Sequence, residues 1–443
     1  SDGHALAMRR PVLLSLLLAA CAAPRLAAPA LRPVADDVRD YARRMVRDME
    51  LPGCWVAVLD VDPVTGAERL WADALAVDGA GPGADGPDVH ATHRVASISK
   101  LYTDTAAMVL VERGRLDLDA PVTDYVPEFR PHDPFGRPVT LRHLMGHRAG
   151  VVRESPVGHY FDPSEPSLRA TVASLADTAL VFEPGSDFKY SNPGIGVVGE
   201  AVARATGMPF EDAARALVLA PLGLGDSDFA ARPDLLARQA RGVMWTYDGR
   251  AIATPGFRFG YVPAADLRAS VVDLVRFARS WFPDAARRVL RPETQAEMWR
   301  LPAGATRGCG LGFFVGELDG HRRVAHGGAV YGFASTLAAL PDAGLAVAVV
   351  CTRDFANDVA DAIADRALRA ALANRRGERL DPPAFPEPVG VDAARALAGR
   401  WRCGDDHVEL KERHGELYYD PNVGVRTRRS EERRVGKECR SRW

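Results

Sequence analysis

The chain has 443 residues, 47% hydrophobic and 26% charged, with a formal net charge of −2. A chain this apolar is not disordered, and its length can bury one large core or two. The near-neutral balance excludes a nucleic-acid footprint and steering by bulk charge.

Ser1 to Ala7 precede Met8, the expected start. Met8-Arg9-Arg10 forms a positive n-region, residues 11–20 are apolar, and Leu18-Ala19-Ala20-Cys21 resembles a bacterial lipobox. Residues 1–21 therefore read as an N-terminal extension and lipoprotein signal peptide, with Cys21 as the lipidated residue. Ordinary signal cleavage nearby is the alternative, and export follows from either. Residues 22–33, rich in Ala and Pro, read as a tether. The mature protein is expected at a bacterial membrane, facing the periplasm. No later apolar run approaches the roughly 18 residues of a membrane span.

Val34 to Met49 has helical periodicity. Cys54–Val61 and Arg69–Val77 read as a strand pair about a Pro63-Val64-Thr65-Gly66 turn, and Gly79–Pro87 as a loop. The next stretch, Arg94-Val-Ala-Ser97-Ile-Ser-Lys100, leads directly into the apolar run Leu101–Arg113, with Gly114 as its C-terminal cap. With Ser97 on the first turn, Lys100 falls three residues later on the same face, where a neutral amine can take the hydroxyl proton. The helix N-terminus favours a developing oxyanion.

Ser-x-x-Lys occurs again as Ser186-Asp-Phe-Lys189, followed by Tyr-Ser-Asn-Pro193-Gly194. That is turn chemistry, so Ser186 is read as a loop residue. Thr140–His147 reads as a short helix capped by Thr140. His143 and His147 are four apart, but no Glu follows His143 and no third ligand is evident, so both are read as structural and no metal is expected. Residues 170–181, 197–206 and 209–219 read as helices of a mostly α insertion.

From Leu311 the apolar period becomes two. Residues 312–318, 322–328, 333–340 and 345–352 read as four consecutive antiparallel strands, closed by a helix over 356–372. A Pro-rich linker, Asp381–Pro388, leads to two strand-like runs that open a small β domain without closing a core. Residues 429–443 resemble translated adapter sequence and are expected to be non-native. Residues 34–380 are thus one domain, and residues 381–428 a linker with a truncated β domain. Cys54, Cys309, Cys351 and Cys403 match no metal spacing and read as buried free thiols.

Two further motifs accompany Ser97. Tyr190-Ser-Asn192 lies on a loop before a helix, where the phenol can face Ser97 and Lys100 as general base and acid, its pKa lowered by the ammonium. Asn192 would hold an acyl amide. His326-Gly327-Gly328 lies on a strand whose glycines let a substrate backbone approach, and the N–H groups of Ala329 and Ser97 would form an oxyanion hole.

The order Ser-x-x-Lys, Tyr-x-Asn, His-x-Gly resembles the serine β-lactamase and penicillin-binding superfamily, and within it the class C-related serine hydrolases. Leu141–Gly150 and Gly310-Leu-Gly312 add to the resemblance, which covers roughly Val34–Leu372. It implies an α+β fold of the β-lactamase/transpeptidase type, an antiparallel sheet flanked by helices. It also implies a serine hydrolase of peptidase or esterase type acting through an acyl-enzyme, without cofactor, on a small-molecule or peptide substrate. A penicillin-binding receptor with little turnover, or a silent scaffold, are the alternatives. His326-Gly-Gly328 in place of Lys-Thr-Gly points to D-aminopeptidase, DD-peptidase and esterase relatives rather than to efficient β-lactamases. Where Gly-Gly-Leu-x-Ser is usual, this chain has Ala265–Ser270.

Overall fold

The computed structural model describes residues 31–76, 88–245, 250–383, 389–403, 406–413, 416–420 and 441–442. Cys21, the signal segment, most of the tether and the 79–87 loop lie outside them. Among the described residues no helix is long and apolar enough to cross a membrane.

Helix α1 (Arg32–Asp48) precedes the hairpin β1 (Gly53–Val61) and β2 (Glu68–Ala76). After the insertion come β3 (Gly308–Cys309), β4 (Phe314–Leu318), β5 (His321–Val330), β6 (Phe333–Leu340) and β7 (Leu345–Cys351), then a long helix, Asn357–Arg375. These strands form one sheet ordered β2-β1-β7-β6-β5-β4-β3, each neighbouring pair antiparallel. The first and last parts of the chain therefore meet at β1 and β7, in the register Val56 with Val349.

Both central strands are apolar on every residue but Asp60, because both faces of the sheet are covered. Alternation divides them. Val56, Val58, Val347 and Val349 pack under Arg32–Asp48 and Asn357–Arg375, whereas Trp55, Ala57, Ala348 and Val350 belong to the larger core of the insertion. Arg366 ties the two covering helices by donating to both oxygens of Asp37. Cys54 and Cys351 face each other with sulfurs 3.9 Å apart, and Cys309 is likewise buried and free.

The insertion departs from expectation in three helices. Helix 170–181 is shorter: Leu168–Ala173 plus a 3-10 turn, Ser174–Asp177, after which Ala179 bridges to His132 in extended form. Helix α3 (Asn192–Thr206, counted after α2, Ser99–Glu112) starts five residues before the expected 197. Pro193 and Gly194, read as a turn, form its first turn, since proline lacks only a donor that the helix start does not use. The 209–219 helix is broken by a π turn at Arg215–Leu219. Thr140 caps Leu141–Met145 as expected, with His143 completing a capping box.

At the C-terminal end the strands Gly399–Cys403, Asp406–Arg413 and Glu416–Asp420 pair in order, preceded by an unforeseen helix, Val391–Leu397. Ala394, Leu410 and Leu417 form a small core there, and Ser441–Arg442 lies beside Trp401–Arg402.

Candidate active site

The chain enters the site through a tight turn. Ala96 has φ +50°, a conformation costly for a residue with a Cβ, and Ala96–Ile98 then forms a 3-10 turn that runs into α2. Ser97 is thus on the turn just ahead of the α-helix rather than within it. The turn is wedged against the sheet: Ser335 of β6 donates its hydroxyl to the Val95 carbonyl at 3.0 Å, and Ser99 Oγ accepts from Leu267 N at 3.0 Å. A Cβ on Gly328 would lie 2.2 Å from the same Val95 oxygen. This corrects the sequence reading of Gly328, because the space its missing side chain leaves is filled by the turn that carries Ser97. Gly327 has open space instead: a Cβ there would meet no atom closer than the Ser335 carbonyl oxygen at 3.6 Å.

Lys100 is wholly buried behind Ser97. Its Nζ lies 3.0 Å from Ser97 Oγ, 2.9 Å from Asn192 Oδ1 and 2.8 Å from the Ala264 carbonyl oxygen. Burial pulls its pKa from 10.5 down to about 7, against the opposing pull of Asp104 and Glu154. The amine is therefore about half neutral at neutral pH. Two of its neighbours are carbonyl oxygens, which can only accept. A neutral amine satisfies both with its two N–H groups, and its lone pair is then left for the Ser97 hydroxyl.

Tyr190 hydrogen-bonds Ser97, and Lys100 Nζ lies 4.9 Å from its ring centroid. The expected drop in its pKa does not occur. Burial pushes the phenol above its ordinary value, outweighing the Ser97 hydrogen bond and the nearby Arg153. The ammonium invoked to lower it is itself half discharged by the same dry surroundings.

His326 is buried on β5, and burial takes its pKa down to about 3, so it is neutral. Its Nδ1 meets the Gly327 carbonyl at 2.5 Å and so carries the proton, leaving Nε2 as an unpartnered lone pair. Ala329, one residue beyond Gly328, is exposed along the same strand. Ser97, Tyr190, Asn192, His326, Gly327, Gly328 and Ala329 all line one cleft of about 440 Å³, the size of a small-molecule site.

A family model described as Beta-lactamase matches residues 48–372. The chain belongs to the Beta-lactamase family. It is 28% identical over 310 residues to "Penicillin-binding protein 4" of Amycolatopsis lactamdurans, covering 67% of this chain and 81% of that protein. It is 38% identical over 158 residues to "Esterase EstB" of Burkholderia gladioli, covering 32% of this chain and 40% of that protein. Among solved structures, the octameric penicillin-binding protein homologue from Pyrococcus abyssi superposes with TM-score 0.66 at 23% identity, over 87% of each chain, a likeness of fold. The protein is a serine hydrolase of this family with the β-lactamase/transpeptidase-like α+β fold.

Within this family member, Asn192 departs from the expected placement. Its Oδ1 accepts from Lys100, and its Nδ2 donates to Glu154 Oε1 at 2.7 Å, so the amide is held between protein groups. Glu154 is the residue that sequence reasoning missed. It joins Asn192 to the Tyr261 hydroxyl, which donates to Oε2 at 2.7 Å, and it lines the cleft beside Arg153. No motif marks it. At Ala265–Ser270, where the sequence departs from the usual pattern, the chain is fixed by its own contacts. A short helix, Val262–Ala265, delivers the Ala264 carbonyl to Lys100, and buried Asp266 binds Arg94 at 3.1 Å.

His143 closes the capping box at Thr140. His147, at φ +55°, is buried against Tyr190 with ring centroids 4.3 Å apart, and its Nδ1 accepts from Ser191 N at 3.3 Å. Among the described residues no cluster of three or more His, Cys, Asp or Glu could hold a metal ion.

Proposed function

We propose that the protein hydrolyses ester or amide bonds through an acyl-enzyme on Ser97, with Lys100 as its base. The observation that carries this reading is the lysine amine, dry and 3.0 Å from Ser97 Oγ, with its other two neighbours restricted to accepting. Ser97 attacks the substrate carbonyl while its proton moves to Lys100 Nζ. The oxyanion forms between the N–H groups of Ser97 and Ala329. Tyr190, protonated at neutral pH, relays the proton from Lys100 to the leaving group, and water reverses the sequence to release the acyl group.

The substrate class follows from the strand. Neutral His326 stands where a strand lysine would anchor a carboxylate, so short esters or D-amino-acid peptides are favoured over cephalosporins. Incubation with p-nitrophenyl esters and a fluorescent penicillin tests both parts. Turnover that Ser97→Ala abolishes supports the hydrolase; a stable penicillin label without turnover supports a receptor; turnover surviving in Ser97→Ala ends this reading. A cephalosporin kcat/KM above about 10⁶ per molar per second overturns the substrate class.

The protein is further proposed to be exported and held at a membrane by lipid on Cys21. The n-region, apolar stretch and lipobox-like Leu18–Cys21 support this. Cys21→Ser is expected to move it from membrane to soluble fraction or to stall the precursor, and a wild type found soluble and processed beyond Cys21 removes the anchor.

A further inference from the structure

Five rings follow one another, and four of them, Phe188, Tyr190, His326 and Phe314, line the cleft, with His147 buried behind. Phe188 lies 6.0 Å from His147, His147 lies 4.3 Å from Tyr190, Tyr190 lies 6.2 Å from His326, and His326 lies 5.1 Å from Phe314, centroid to centroid. The two inner histidines are buried, and burial keeps both neutral. The two ends differ from the middle: Phe188 and Phe314 are 41% and 37% exposed, and both open onto the cleft. Each is two ring-to-ring steps from Tyr190, which hydrogen-bonds the nucleophile.

Lys100 is sealed behind Ser97, and Arg153 lies over the Tyr190 ring at 5.4 Å with Glu154 within 3.9 Å. What the wall presents is apolar and π surface, exposed at both ends and available for burial only when substrate is bound.

We propose that the substrate carries an aryl or bulky apolar group that packs along this wall, and that Phe188 and Phe314 set the enzyme's selectivity for it. This rests on Ser97 being the nucleophile. Neither ring touches the reacting atoms; they bind the group that brings the carbonyl to Ser97.

The test compares kcat/KM for methyl phenylacetate against methyl acetate, and for benzyl acetate against methyl acetate, so that the ring sits first in the acyl part and then in the leaving group. Wild type is expected to favour the ring-bearing ester by about tenfold or more in at least one pair. Phe188→Ala or Phe314→Ala is expected to cut that preference about fivefold to tenfold, and Phe→Leu at the same position to keep most of it. A wild-type ratio near one in both pairs, or a ratio that neither alanine variant changes, overturns the proposal while Ser97-dependent hydrolysis stands. Absence of any Ser97-dependent hydrolysis of these esters overturns the nucleophile reading and this inference with it.

Discussion

The chain carries Ser-x-x-Lys twice, and the two copies share nothing beyond the letters. At Ser97 a strained residue, Ala96 at φ +50°, turns the chain into a buried helix, and the lysine three residues on is fully enclosed. At Ser186 the chain makes an exposed turn, the serine hydroxyl donates back to the Glu183 carbonyl at 2.7 Å, and the Lys189 backbone bonds the His147 carbonyl at 2.8 Å. A 3-10 turn running into an α-helix puts positions i and i+3 on one face, whereas the isolated turn at Ser186 does not continue into a helix that would do so. Enclosure then changes the lysine's chemistry, because removing water penalises the ammonium. The motif supplies atoms; reactivity comes from the surroundings.

The sharpest way to break this comparison is to delete each serine. Ser97→Ala is expected to lower ester kcat/KM by about 10⁴-fold or more, while Ser186→Ala stays within about twofold of wild type, measured by steady-state hydrolysis on both variants. Equal losses would mean that the environment does not separate the two sites.

Next in size is the lysine. Lys100→Met removes the acceptor of the serine proton and is expected to cost about 10³-fold, read in the rate of acylation by a chromogenic ester. The pH profile of wild type carries the same information. Burial lowers the Lys100 pKa to about 7, so the base is protonated and silent below that value and free above it. Activity should therefore rise with pH between about 6 and 8 and then level off. His326, taken down to about 3 by burial, contributes no limb in that range. A rate that falls as pH rises through 7 contradicts the assignment of the base.

Tyr190→Phe keeps the ring over Lys100 but removes the hydroxyl, and about a 10²-fold loss in kcat is expected. The smallest of these effects tests the residue the motifs did not mark. Glu154→Gln weakens the acceptor that holds Asn192, so about a tenfold fall in kcat is expected, accompanied by a displaced acid limb, because Glu154 also raises the Lys100 pKa. With the negative charge gone, that limb should move to lower pH; a limb that does not move removes Glu154 from the field at Lys100.

Much of this was legible in the residues. The strands β4 to β7 were read from alternation as four consecutive antiparallel strands, and they pair in that order, since strands joined by short turns have few ways to pair. Thr140 announced its own helix, because capping involves residues three apart. The α3 start was misplaced because Pro193 and Gly194 are turn formers anywhere except at a helix head, and only Ser191 capping Gly194 N distinguishes the cases.

By itself, then, the sequence determined which local elements form and which chemically capable side chains they carry: Ser97 and Lys100 one turn apart, Tyr190 before a helix, His326 on a strand. Tertiary structure alone decided how those groups behave. The carbonyl that orients Lys100 comes from Ala264, 164 residues away, and the hydroxyl that steadies Glu154 comes from Tyr261, 107 residues on. Proton affinity in a dry site depends on what displaces the water, and that is set by packing between distant segments. For this reason the amine at Lys100 gives up its proton far more readily than an exposed lysine, the phenol at Tyr190 held its proton more tightly than expected, and Gly328 served the turn that carries Ser97.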